Sequence, residues 1–551
     1  MMRKLKLLLF ILFLQIGYSQ NNVSEIKKLV VTAKVWGFLK YYHPNVADGS
    51  KQWDNELVEI LPQIDKAKTA PEFSKIIENW IDSLGMVKEM NIVPSKDVIY
   101  YDRNFDLSWI VQNELFSKDL SQKLKFIEVN RYQGVPYYVG NTEAGNIFLM
   151  NENSIDFQWN NKNLRLLALF RYWNIIEYFY PYKYLMDNNW GKTLEDILPN
   201  FLNVKNEDDF KLAMLKLVVR INDTHSSFYY TMSKNIGKMR KFLPMKCVIL
   251  DQKMVVTEIL SDTLAEHYDI KIGDLINKVD GKTIAKIIRN ERPYISASNE
   301  SAYLLNLVSE ISSGYNDFID VEVTRNKITS SKRIECFDYN ISHSNEFKKS
   351  KKEKYYVLED NIGYVNMGKL KISEVSLMID KLRDTQAIIL DSRNYPKGAN
   401  FEISKFLNSS PKPFAKYTIP DLSYPGKFYW MKELDICGTE NKNNYKGKVI
   451  ILVDENSLSQ SEWATMCFQT ADDAKVIGSQ TAGADGNTSH IDFIKDYDAP
   501  FSGIGVYYPD GKETQRIGIV PDIVVKRTVL GIQQGKDEVL DRAILYIKDN
   551  K

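Results

Sequence analysis

Residues 452–463 read LVDENSLSQSEW. The run KVIILVDE is apolar without a break from Val449 to Val453, as in a strand buried on both faces, and the following run, SEWATMCFQTA, has helical spacing. The stretch is therefore a strand-to-helix junction, with three serines at alternate positions closed by Glu462. A serine at such a junction can cap the helix through its hydroxyl. It can also project from the turn as a nucleophile, with the next N–H unpaired at the helix start and free to face an oxyanion. The junction falls at Ser459, with the helix starting near Gln460. Ser457 lies earlier in the turn, and Ser461 lies in the first helical turn, where its hydroxyl bonds locally.

Outward from the junction, residues 350–551 alternate strand and helix patterns. NIGYVNMG, AIILDSR and AKVIGSQ read as strands, and SEVSLMIDKLRD and VLDRAILYIKD as amphipathic helices. Such alternation implies crossover connections and a largely parallel sheet. Residues 236–340 differ. CVILDQKMVVTEIL is strand-like with a turn, and IKIGDLINKVDGKTI (270–284) resembles the PDZ domain, which binds an extended peptide by strand addition.

The N-terminal half contains a repeat. VWGFLKYYHPNVADGSKQWDNELVEILPQI (35–64) aligns without a gap with YWNIIEYFYPYKYLMDNNWGKTLEDILPNF (172–201), at an offset of 137. Trp36 meets Trp173, Pro44 meets Pro181, Trp53 meets Trp190 and Pro62 meets Pro199. Both copies have apolar residues at helical spacing, so the shared tryptophans and prolines read as core and helix punctuation. His43 faces Tyr180 in the other copy and reads as structural. The second copy ends RINDTHSSFYY (220–230), where Asp223-Thr224-His225 meets Met86-Val87-Lys88. His225 is thus peculiar to copy two, held after a helix by the turn-forming Asn222-Asp223. Between the copies, KLKFIEV, GVPYYV and NIFLM read as β-type runs.

Three distant segments together resemble one family, the tail-specific or C-terminal-processing serine peptidases. ENSLSQSEWA is similar to its nucleophile motif and implies Ser459 as the attacking residue. LDSRNYPKGAN (390–400) resembles the loop that supplies an oxyanion-hole N–H, implying Gly398 together with the N–H of Gln460; Lys397 replaces the first glycine of that loop's pair. GSQTAGADGN (478–487) resembles the loop after the next strand. The processing branch carries a lysine base 25 residues after the nucleophile, where this chain has Ala484. INDTHSS resembles the tricorn-core branch, implying His225 as base and Thr224 as its neighbour. Near the C-terminus, GKETQRIGIVPD (511–522) places Gln515 where that branch has a supporting glutamate, with Glu513 close by. His490, 31 residues past Ser459, is the rival base.

The expected architecture is multidomain α/β: a signal peptide (1–19), a helical unit (20–90), a β-rich connecting segment (91–160), a second helical unit carrying the base (161–235), a PDZ-like domain (236–340) and a peptidase core resembling the crotonase and Clp-protease fold (350–551). The first residues support export: Arg3, Lys4 and Lys6 precede a short apolar core ending in small residues before Gln20. That places the chain in the periplasm or outside the cell. Lys+Arg 72 against Asp+Glu 71 gives no basic excess that would point to nucleic acid, and the basic cluster 348–354 reads as a solvated linker. The five histidines and four cysteines have no metal-ligand spacing. No cofactor or metal is expected. The partner implied is a peptide or unfolded protein, guided by the PDZ-like domain. The alternatives are a peptide-binding protein with weakened catalysis, or an esterase on the same scaffold.

Overall fold

The computed structural model describes residues 23–90, 92, 98–152, 155–230, 232, 235, 238–338, 353–494 and 497–550. The expected signal peptide and most of the 348–354 cluster lie outside them.

The first helical segment has helices Glu25–Tyr42, Trp53–Lys66 and Ala70–Ser83, and the second has Lys162–Phe179, Trp190–Leu202 and Glu207–Val219. Their capping residues also correspond at the same offset. Ser24 and Asn161 cap the long helices, and Thr69 and Asn206 cap the third ones. Pro44 and Pro181 lie just past the ends of the long helices, because the residue before proline is driven out of helical geometry. Pro62 and Pro199, expected to punctuate, instead lie inside helices. Pro62 leaves the Val58 carbonyl without its helical donor, and Asn163 Nδ2 takes that carbonyl at 3.4 Å.

The two long helices pack closely on each other. A Cβ on Gly37 would fall 1.8 Å from Asn174 Oδ1, so only glycine fits there. Asn174 is Gly37's own counterpart in the repeat, and its Nδ2 crosses to the Ala33 carbonyl at 3.0 Å. Around this contact a buried ion network ties the copies to the connecting segment. Lys40 Nζ lies 2.6 Å from Glu152, and Arg171 pairs with both Glu152 (3.3 Å) and Asp54.

The connecting segment is not β-rich as expected. KLKFIEV is the second half of helix Lys118–Val129. Leu120, Leu124 and Ile127 bury one face at helical spacing, and Ser117 caps the start, a period that a seven-residue window hides. Among the described residues of the segment, the strands are the short pair Val139–Asn141 and Ile147–Leu149, plus Tyr100–Tyr101.

Residues 245–335 form an antiparallel sheet in the order 328–335, 318–325, 275–279, 253–259, 245–250, closed by helix Glu300–Ile311. The last domain is built on a six-stranded sheet. Tyr355–Leu358 pairs antiparallel with Ile362–Asn366, and then Ala387–Asp391, Lys448–Val453, Ala474–Gly478 and Ile523–Val524 continue in parallel. A second sheet, centred on Lys412–Pro420 and flanked by Phe428–Trp430, Asp435–Cys437 and Gly505–Tyr507, stands beside it. Ile491, Phe493, Phe501 and Tyr507 of the last domain belong to the same buried core as the helical segments. That shared core brings the end of helix Glu207–Val219 to the mouth of the parallel sheet.

Candidate active site

Strand Lys448–Val453 ends at a tight turn, and helix Gln460–Phe468 begins. Ser459 occupies the corner with φ +55° and ψ −119°. A side chain bearing a Cβ rarely adopts such a backbone, and holding it there costs about 1–3 kcal/mol. Its surroundings enforce it. The Ser459 N–H is held between the Ala484 carbonyl (3.0 Å) and Glu462 Oε2 (3.3 Å). Glu462 also accepts from Gly483 N–H (2.9 Å), Ala484 N–H (3.0 Å) and the Thr481 hydroxyl, so one buried carboxyl fastens the serine corner to loop 481–484. Burial pushes the Glu462 carboxyl up to about 7, against the pull of these donors.

The three serines are not equivalent. Ser457 and Ser461 are fully buried, and both hydroxyls donate to the Ser392 carbonyl, at 2.8 and 2.5 Å. They tie the junction to the end of the neighbouring strand. Ser459 instead faces a cavity of about 1140 Å³ whose wall includes His225 and Gln460.

His225 stands in a braced turn. Its own N–H donates to Asp223 Oδ1 at 3.0 Å, and Asn222 adopts φ +54°. Its Nδ1 lies 2.9 Å from Ser502 Oγ, and that hydroxyl donates to Asp223 Oδ1 at 3.0 Å. Because the Ser502 proton is spent on the carboxylate, the hydroxyl accepts from Nδ1–H. Nε2 is then left as the basic nitrogen. Asp223 is fully buried and also accepts from the Ser502 N–H (2.7 Å) and from Gln515 Nε2 (3.2 Å). Burial lowers the imidazole below its ordinary 6.5, with Asp223 partly opposing, so it is neutral at neutral pH.

The remaining sequence candidates fall into place one by one. Gln515 supports Asp223 rather than the ring directly. The Thr224 hydroxyl donates to the Ala482 carbonyl (3.1 Å) and accepts from the Ser298 N–H (2.9 Å), so it pins the base loop and does not orient the histidine. Glu513 is held by Tyr184 (2.7 Å) and Arg103 (3.0 Å), in a separate cluster. His490 is exposed, pairs with Asp498 at 3.0 Å and does not line the cavity. Gly398 adopts φ +75° in the 390–400 loop, where a residue with a Cβ is strained. Gln460 is the first helical residue, and its N–H is one of the donors that a helix start leaves unpaired. Sequence reasoning misses the roles of Asp223 and Ser502. Ser502 is 277 residues from His225, and nothing local marks it. The hairpin carrying Thr142, Glu143 and Asn146 also lines the cavity, and Asn146 Nδ2 bonds the Thr488 carbonyl at 2.9 Å.

Residues 361–525, which span the serine corner, both flanking strands and loop 478–487, match the model of peptidase family S41. The chain carries a peptidase family S41 domain. It is 26% identical over 333 residues to a probable CtpA-like serine protease of Staphylococcus aureus, covering 58% of this chain and 61% of that protein. It is 26% identical over 277 residues to its Staphylococcus haemolyticus counterpart, covering 49% and 50%. The chain thus spans between half and three-fifths of the curated relatives it matches. Among solved structures, mature CPAF complexed with lactacystin superposes with a TM-score of 0.55 at 12% identity, over 70% of this chain and 99% of that one. That likeness concerns the fold. Among the described residues, no helix is long and apolar enough to cross a membrane.

Proposed function

We propose that this protein is an exported serine peptidase that hydrolyses peptide bonds in peptide or unfolded-protein substrates. The observation that carries the reading is the strained Ser459 on the wall of the cavity that His225 also lines, with His225 held by Ser502 and Asp223. His225 Nε2 takes the Ser459 proton as Oγ attacks the carbonyl carbon. The imidazolium formed is stabilised through Ser502 by the buried Asp223 carboxylate, with Gln515 holding that carboxylate in place. The N–H groups of Gly398 and Gln460 stabilise the oxyanion, a donor of this kind contributing about 3–4 kcal/mol. The tetrahedral intermediate collapses as His225 protonates the leaving amine. Water, deprotonated by the same nitrogen, then releases the acyl group. Residues 236–340 act as a PDZ-like peptide guide, and Thr224 couples them to the base loop through Ser298.

The test is turnover of an unstructured peptide panel beside matched acyl esters. Peptide cleavage that disappears in Ser459→Ala supports the reading. Ester hydrolysis with intact peptides replaces it by an esterase. Peptide binding without turnover replaces it by a binding protein.

A further inference from the structure

The cavity that holds Ser459 and His225 has a carboxyl group that the chemistry above does not use. Asp485 comes directly after Ala484, whose carbonyl accepts the Ser459 N–H, so its side chain lies beside the serine corner. Asp485 is 4% exposed and lines the cavity. Its Oδ1 accepts from the Gly486 N–H at 2.7 Å, and its Oδ2 has no hydrogen-bond partner. A buried carboxyl oxygen left unpaired costs free energy unless a ligand supplies a donor.

Two other carboxyl groups reach the same cavity from separate elements: Glu143 on the exposed hairpin tip and Asp435 on the edge strand. Asp435 is engaged by the Tyr417 hydroxyl, which also accepts from Trp463 Nε1 at 2.7 Å. Among the described residues that line the cavity there is no lysine or arginine. The nearby Lys416 is turned away, its Nζ 3.9 Å from the centre of the Trp430 ring. Between them the lining mixes polar groups such as Asn146, Asn487 and Thr488 with the apolar side chains of Trp463, Leu458, Ile504 and Val506. Burial, with Glu462 nearby, pushes the Asp485 carboxyl well above the usual carboxylate range, and a cationic group beside it would oppose that shift. Carboxyl groups set among apolar side chains fit a long aliphatic stem with a cationic end, the form of lysine and arginine side chains.

We infer that the cavity is a specificity pocket for a lysine or arginine side chain of the substrate, with Asp485 at its floor receiving the cation and Glu143 at its rim. The inference rests on the peptidase reading for its substrate, but binding tests it without chemistry. Matched fluorescent peptides carrying lysine, arginine, norleucine or glutamate at one position, with that position walked along the sequence, are titrated against the Ser459→Ala protein. At one position the lysine and arginine peptides should bind at least tenfold more tightly than the norleucine peptide, which keeps the stem and lacks the charge. In the Ser459→Ala, Asp485→Asn double variant the lysine-to-norleucine ratio should collapse towards one. Glu143→Gln, at an exposed site that leaves the floor intact, should lower the ratio about two- to threefold and keeps the test valid if the buried substitution does not fold. Equal binding of lysine and norleucine peptides at every position would overturn the inference, as would a ratio unchanged in both variants. A cation preference in a protein without turnover would leave the pocket standing and remove the peptidase.

Discussion

The two helical segments share a plan and diverge beyond their third helices. In the first, Trp36 Nε1 donates to the Trp53 carbonyl (3.2 Å) and Trp53 Nε1 donates back to that of Trp36 (3.1 Å). In the second, Trp173 and Trp190 make the same reciprocal pair, both bonds at 3.0 Å. The indole pairs are buried in both, where each ring's N–H needs a partner and finds it on the other's backbone. The first segment then ends in a turn with Met86 and Lys88 facing solvent. The second turns inward, and Asp223 and His225 meet Ser502 of the last domain. Packing residues thus recur between the copies, whereas the chemistry sits in what one copy has and the other lacks.

The largest effect should come from the residue unique to the second segment. His225→Ala should lower kcat about 10⁴-fold or more. His490→Ala, whose ring is exposed and paired with Asp498, should leave turnover within about twofold. Steady-state kinetics on one peptide would decide it, and the reverse ranking would move the base to the 478–490 loop. Next comes the group behind the base. Asp223→Asn keeps the size but turns an acceptor into a partial donor facing Ser502 and the His225 N–H. A loss of about 10²–10⁴ in kcat is expected, with KM little changed. A loss seen only in KM would instead make Asp223 a substrate-binding group.

The shared residues should behave oppositely. Trp36→Ala and Trp173→Ala should each cost about 3–5 kcal/mol of stability, read as a lower thermal midpoint. An unchanged midpoint with peptide affinity lost would turn the tryptophans into substrate contacts and end the distinction between packing and chemistry. The smallest effect is on pH. Burial holds His225 below 6.5, so kcat/KM should stay high until the pH falls under that value and then drop as the imidazole takes a proton. Asp223→Asn removes the carboxylate that raises this value, so the acid limb should move to still lower pH.

Much of this arrangement is legible in the chain. The alternation after residue 355, the continuous apolar strands and the serine junction are all matters of local pattern, and each has its expected element. His225 stands out because the repeat supplies its own control. Local pattern cannot reach Ser502, which meets His225 only because Phe493 and Phe501 share a core with the helical segments. It also misleads at KLKFIEV, where β-branched and aromatic residues mask a helical period. Adjacency in the chain points Thr224 at the histidine, yet its hydroxyl bonds Ser298 and Ala482 instead.

Ser459, Ser457 and Ser461 are chemically alike, and only one has both a strained corner and an open face. Treatment of the wild-type protein and of His225→Ala with a fluorophosphonate, with labelled peptides identified by mass spectrometry, tests directly whether the second helical segment activates that one serine. Label on Ser459 alone in the wild type, and its near loss in His225→Ala, is the predicted result. Label on Ser457 or Ser461, or equal labelling of Ser459 with and without the histidine, would contradict it.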